Sequence, residues 1–135
     1  MMSKAEVVAR SAHGAQKDRF GIPYTAHLER VAAAAGEDAR DVAWLHDVLE
    51  DTYLKEIDLL RLGIAREVVE VVVLLSRRYD HTYAEFIERV KDSQNALAIR
   101  VKIADLKDHL REETLHRIPQ SLRTRYVRAL ERLTA

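Results

Sequence analysis

The chain has 135 residues, of which 47% are hydrophobic and 33% charged, so it is long enough for one domain with a buried core and is not typical of a disordered protein. Its 22 Lys and Arg residues balance 22 Asp and Glu residues, so no overall positive field favours a nucleic acid polymer or an anionic membrane as partner. Cysteine is absent, which excludes disulfides and cysteine-held metals, so any metal would need His and carboxylate ligands.

The N-terminal part is predicted to form two helices. It lacks the apolar segment of a signal peptide, and no apolar run in the chain reaches membrane-spanning length, so we expect a cytoplasmic protein. Ser3 and Glu6 have capping-box spacing and predict a helix over residues 4–16. A polar turn follows, and Pro23 then opens a helix over residues 24–35.

The middle of the chain is predicted to continue as helices. A helix over residues 38–51 carries several ionisable side chains, and a short helix near residues 54–62 follows. Residues 65–78 contain a β-branched run that could form a strand by propensity, but no partner strand is evident, so we predict a central buried helix. Thr82 and Glu85 form a second capping-box spacing that starts a helix to about residue 91.

Two long helices complete the chain. Residues 96–110 are apolar on most sides and predict a core helix, which Asp105 interrupts. Residues 120–133, after Pro119, predict a basic amphipathic helix whose arginines form a solvated face. No repeat, linker or low-complexity tract separates these elements. The sequence therefore predicts an all-α helical bundle, with residues 1–135 as a single domain.

Residues 46–52 combine ionisable side chains with an apolar preceding segment that ends in Trp44 and Leu45. In one continuous helix, His46 and Glu50 would lie on the same face. Buried imidazoles and carboxylates are costly unless they are compensated, and a divalent metal ion compensates both. The alternative is a solvated helix face whose acids lie near basic residues.

Other parts of the chain can complete a ligand set. His27 lies on or near the apolar face of the second predicted helix, where a lone histidine would be read as a core residue. Asp105 needs a cation in its apolar helix, and a salt bridge to Lys102 or Arg100 remains an alternative to a metal. Two imidazoles and two carboxylates would leave room for water and substrate oxygens, as a hydrolytic metal centre requires; they are His27, His46, Asp47 and Asp105.

Four blocks of sequence carry a more specific pattern. They are AHGAQ at residues 12–16, GIPYTAH at 21–27, LHDVLEDT at 45–52 and VKIADL at 101–106. In content and order these blocks resemble the HD-domain metal-dependent phosphohydrolases, and among them the RelA/SpoT-type alarmone hydrolases and their short stand-alone relatives. Two positions depart from the family pattern: Leu28 stands where a proline is usual, and His109 where an asparagine is usual.

The resemblance implies an HD-type helical bundle with a catalytic Mn²⁺, although Fe, Zn, Mg or Ni would also fit. It implies that the metal ligands are His27, His46, Asp47 and Asp105. It assigns to Glu50 and Asp51 the orientation or deprotonation of the attacking water. It further implies basic and polar contacts to the substrate from Lys17, Arg19, Lys102, Tyr83 and Arg89.

The function that the resemblance implies is removal of the 3′-pyrophosphate from guanosine tetra- or pentaphosphate by a metal-activated water. The expected partner is therefore a small nucleotide rather than a nucleic acid polymer or a membrane, and the sequence does not predict whether the chain forms a homo-oligomer. One alternative is a phosphatase for another nucleotide or a nucleoside monophosphate. Another is a catalytically silent nucleotide-binding regulatory domain, against which the intact ligands and acids argue.

Overall fold

A computed structural model describes all 135 residues, and its regular secondary structure is entirely helical. The elements in chain order are α1 (Lys4–His13), α2 (Tyr24–Ala35), a 3-10 turn (Glu37–Ala39), α3 (Arg40–Leu45), α4 (Val48–Asp51), α5 (Glu56–Arg61), α6 (Arg66–Leu74), α7 (Tyr83–Asp92), α8 (Ala96–His109), α9 (Glu112–Leu115) and α10 (Gln120–Thr134). A lone antiparallel bridge joins Lys17 to Pro23. The prediction of an all-α helical bundle is confirmed. No helix combines the length and the apolar character that crossing a bilayer requires.

The capping signals predict the helix starts well. The Ser3 hydroxyl accepts the Glu6 amide proton at 3.2 Å and begins α1. At α7 both halves of the capping box form, since Thr82 and Glu85 each accept the other's amide proton. The bounds of α2 are those predicted, because Pro23 precedes its first turn and a glycine with φ of 98° follows its last residue.

Removal of the Thr82 cap is expected to destabilise the fold modestly. Thr82→Ala leaves the Glu85 amide of α7 without its side-chain acceptor, which should cost about 1 kcal/mol of unfolding free energy. Urea unfolding of the purified protein measures this as a lower midpoint with an unchanged slope. Ser121→Ala, at an exposed position of α10, is the control and should leave the midpoint unchanged.

The centre of the bundle is α3, which packs against α1, α2, α6 and α8. Its last residues, including Trp44 and Leu45, are completely buried. We predicted that residues 65–78 form the central buried helix. That prediction was wrong, because α3 holds the central place in the bundle. Helix α6 buries Val69 and Val72 on one side but exposes Val73, because neighbouring helices cover only one of its faces.

The prediction of one continuous helix over residues 38–51 was also wrong. The chain forms a 3-10 turn and α3, and then turns at His46 and Asp47 before α4 begins. The ring of His46 explains the break: its Nδ1 lies 2.6 Å from the Ala43 carbonyl oxygen, the acceptor that the Asp47 amide would use in a regular helix. The His-Asp pair therefore lies at a bend and not along a helix face.

Candidate metal centre

Two imidazoles and two carboxylates converge beside α8, although they come from distant parts of the chain. They are His27 of α2, His46 and Asp47 of the turn after α3, and Asp105 of α8, and one donor atom from each lies within 4.8 Å of all the others. Asp105 Oδ1 is 2.9 Å from His27 Nε2 and 3.2 Å from His46 Nε2. Asp47 Oδ2 is 3.1 Å from His46 Nε2.

The spacing of these donors fits a divalent ion. Adjacent ligands of an octahedral ion with bonds of about 2.1 Å lie about 3.0 Å apart, and opposite ligands about 4.2 Å apart. The contacts of 2.9, 3.1 and 3.2 Å correspond to the adjacent spacing. Mixed imidazole and carboxylate donors suit Mn, Fe or Zn. The cluster can therefore hold a metal with little movement of its side chains.

Two of the four donors are oriented by local contacts. His46 Nδ1–H donates to the Ala43 carbonyl oxygen, which leaves Nε2 directed at Asp105. The hydroxyl of Tyr24 donates to Asp47 Oδ2. Burial first, and then the Asp47 charge, raises the pKa of Tyr24 far above its ordinary value, so the phenol remains a donor.

Asp105 also forms the salt bridge that the sequence left open as an alternative. Its Oδ2 lies 2.9 Å from Lys102 Nζ, whereas Arg100 pairs with Asp38. Burial would raise the pKa of Asp105, but the Lys102 ammonium and then His109 outweigh burial and hold that pKa well below its usual range. Asp105 therefore carries a negative charge in the interior and presents its other oxygen to the imidazoles.

His27 has carboxylates at both ring nitrogens. Nε2 lies 2.9 Å from Asp105 Oδ1, and Nδ1 lies 2.6 Å from Asp108 Oδ2. Burial would lower the pKa of His27, but these two hydrogen bonds outweigh it and raise the pKa to about 9. In the metal-free protein the ring is therefore a cation at neutral pH, and the positive charge of a metal ion would take the place of that proton.

The two acids of α4 lie at the surface next to the cluster. Partial loss of hydration raises the pKa of both Glu50 and Asp51, and the nearby Asp47 charge adds to the effect. Glu50 accepts the Arg77 amide proton, and the Gln16 side-chain amide donates to the Asp51 main-chain carbonyl at 2.7 Å. The Glu50 carboxylate and the Asp51 backbone are thus held in place, and both carboxyl groups have a raised affinity for protons.

Cations surround the ring of Tyr83 at the same edge. Lys102 Nζ lies 5.5 Å from the ring centroid, and the guanidinium carbons of Arg125 and Arg77 lie 4.9 and 5.9 Å from it. Beyond the ring, a cleft of about 360 Å³ separates α7 from α10, and its lining includes Arg125. Arg125 belongs to the helix whose arginines we expected to be only solvated. Positive charge therefore extends from the donor cluster to α10.

The remaining residues of the predicted substrate site lie in different settings. Lys17 and Arg19 are exposed in the loop between α1 and α2. Arg89 instead donates to the carbonyl oxygens of Leu74 and Ser76, at 2.8 and 2.6 Å, at the C-terminal end of α6. This contact gives Arg89 a structural role. Fewer of its N–H groups are therefore available to a substrate than the sequence suggested.

Two further residues beside the donors, Asp108 and His109, were given no role in the site by the sequence patterns. The His109 ring stacks between those of His27 and Tyr126, at centroid distances of 4.8 Å on each side, and its Nε2 lies 3.3 Å from Asp105 Oδ1. The spacing of Asp105, Asp108 and His109 on one helix was a usable signal, since residues three and four apart share a face.

Comparison with known proteins gives one informative result. No protein-family model matches the chain, and no curated protein matches it. Among solved structures, a protein described as a metazoan ortholog of SpoT that hydrolyses ppGpp and plays a role in starvation responses has a TM-score of 0.78 to this chain at 22% sequence identity. The match covers 98% of this chain and 84% of the other. The chain therefore has the same helical fold as that ppGpp hydrolase.

Proposed function

We propose that this protein is a metal-dependent phosphohydrolase that removes the 3′-pyrophosphate from guanosine tetra- or pentaphosphate. The observation that carries the proposal is the convergence of His27, His46, Asp47 and Asp105 within 4.8 Å. The fold shared with a ppGpp hydrolase supports the choice of substrate. Residues 1–135 would form one catalytic domain.

The four donors would hold one divalent ion, and we infer Mn²⁺ from the resemblance of the motifs. When bound, the ion supplies Lewis-acid chemistry that polarises a phosphoryl oxygen and makes water a better nucleophile. The chain's own contribution begins with orientation. Tyr24 and the Ala43 carbonyl hold Asp47 and His46 in place, so the ligands need little reorganisation to bind.

Glu50 and Asp51 would accept the proton of the attacking water. Their raised pKa values bring them closer to neutral pH than ordinary carboxylates, which improves a general base. Their place in α4, directly after the His-Asp turn, puts them beside the donors without making them ligands.

Recognition of the substrate would fall to the positive groups around the site. Lys102 and Arg125 both lie within 6 Å of the Tyr83 ring centroid, at 5.5 and 4.9 Å, and offer charged donors to phosphate oxygens. Lys17 and Arg19, which are exposed on the loop after α1, would also contact the base or the phosphates.

A substrate panel tests this proposal. We expect purified protein with Mn²⁺ to release pyrophosphate and GDP or GTP from guanosine tetra- or pentaphosphate, and a chelator to stop the reaction. The products are identified by ion-exchange chromatography. Release of orthophosphate from nucleoside monophosphates alone would favour the alternative phosphatase, and binding without turnover would favour the regulatory domain. Either result would overturn the pyrophosphohydrolase assignment.

A further inference from the structure

We propose that Asp108 is a positioning residue of the metal centre, whose carboxylate fixes the ring of His27 so that Nε2 faces the other three donors. The inference rests on the proposed metal site but not on the identity of the substrate. The resemblance implies no role for Asp108.

The two nitrogens of the His27 ring have different partners. Nδ1 lies 2.6 Å from Asp108 Oδ2, while Nε2 points at Asp105 Oδ1. A neutral imidazole carries one proton, and a carboxylate at Nδ1 keeps the proton on that nitrogen. The lone pair of Nε2 is then available to a metal, and the carboxylate makes the ring a stronger donor. His46 has only a backbone carbonyl at its Nδ1, so the two histidines are held differently.

Asp108 is itself held rigidly. Its Oδ1 accepts a hydrogen bond from Arg30 Nε at 2.7 Å. Its Oδ2 accepts hydrogen bonds from Arg30 Nη2 at 3.1 Å and from Arg111 Nη1 at 3.3 Å. Only 10% of the side chain is exposed. The two-pronged contact with Arg30 prevents rotation of the carboxylate. A carboxylate fixed in this way imposes one orientation on His27.

An ion pair between Asp108 and Arg30 that only stabilised the fold would not need a contact with His27. The pair of Asp108 and Arg30 already links α8 to α2. In the same fold, Asp38 pairs with Arg100 of α8 and has no histidine contact. This second pair, which is more exposed, serves as the comparison: both pairs join α8 to another part of the chain, and only the pair with Asp108 reaches a candidate ligand.

Affinity for Mn²⁺ is the decisive measurement. Asp108→Ala should weaken Mn²⁺ binding about 10- to 100-fold, the usual effect of removing a partner of a ligating histidine. Asp108→Asn keeps an acceptor near Nδ1 and should lie between Ala and the unaltered protein. Asp38→Ala should bind Mn²⁺ as the unaltered protein does. Free Mn²⁺ is counted by electron paramagnetic resonance, and thermal unfolding of each metal-free variant records the purely structural cost.

The outcomes separate clearly. A lower unfolding temperature with unchanged Mn²⁺ affinity in Asp108→Ala would show an ion pair that only stabilises the fold, and would overturn the inference. If that variant does not fold, two-bond ¹H–¹⁵N correlation spectra of the unaltered protein loaded with Zn²⁺ show which nitrogen of each histidine binds the metal. A protonated Nδ1 and a metal-bound Nε2 at His27 support the inference, and the reverse arrangement overturns it. Failure of the unaltered chain to bind any divalent ion would overturn the metal centre and this inference together, whereas binding without hydrolysis of guanosine tetraphosphate would overturn only the proposed substrate.

Discussion

Asp105→Ala is expected to abolish stable binding of the metal and to lower hydrolysis of guanosine tetraphosphate by more than about 100-fold, since loss of a ligand should exceed the 10- to 100-fold effect of losing a ligand's partner. One oxygen of this carboxylate contacts three imidazole nitrogens, those of His27, His46 and His109, at 2.9, 3.2 and 3.3 Å. Without it the three rings lose the carboxylate that they share, and Asp47 is the one carboxylate left among the four donors. Metal content after dialysis, measured by plasma mass spectrometry, reports the loss.

The control for this change is Asp92→Ala, at an exposed position at the end of α7. Because Asp105→Ala also leaves Lys102 buried without its partner, Asp105→Asn is measured in parallel as a variant of the same shape. Circular dichroism confirms that each variant is folded before its metal is counted. Full metal content in a folded Asp105 variant would remove this residue from the ligand set.

The second large effect is expected when Glu50→Gln and Asp51→Asn are combined. Turnover at saturating substrate should fall about 10²- to 10⁴-fold, the usual contribution of a general base, while Mn²⁺ affinity stays unchanged because neither residue belongs to the four-donor cluster. Glutamine at position 50 can still accept the Arg77 amide proton, so the local backbone should be preserved. Steady-state kinetics and a Mn²⁺ titration of the same preparation measure both quantities.

A double change on α6, Glu67→Gln with Glu70→Gln, is the matched control, since it removes two exposed carboxylates away from the donors. Its turnover should equal that of the unaltered protein. Hydrolysis that persists in the α4 double variant within a few-fold of the unaltered rate would mean that other groups accept the proton of the attacking water.

Sequence patterns were most informative where local chemistry decides structure. Helix α2 begins and ends as predicted because a proline and a glycine limit it. The four candidate ligands were identifiable as polar residues in apolar surroundings, and the structure brings them together. The order of the motifs then indicated the fold of an alarmone hydrolase, and a ppGpp hydrolase shares the fold of this chain.

Tertiary contacts explain what the patterns missed. The break after α3 depends on a ring-to-carbonyl contact at His46, which competes with regular helix bonds and has no signature in helix propensity. The contact between His27 and Asp108 joins residues 81 positions apart, so no local pattern indicates it. The one-sided burial of α6 likewise follows from which helices pack against it.

The hydrogen bond from the Gln16 side-chain amide to the Asp51 carbonyl joins the loop after α1 to the end of α4. Gln16 also accepts a hydrogen bond from the buried ring of His13 at 2.8 Å, which anchors it to the end of α1. The loop that begins there carries Lys17 and Arg19. The Gln16 side-chain amide thus connects the loop that would bind a nucleotide to helix α4, whose acids would assist cleavage. A displacement of the loop is therefore transmitted to α4, and a displacement of α4 to the loop.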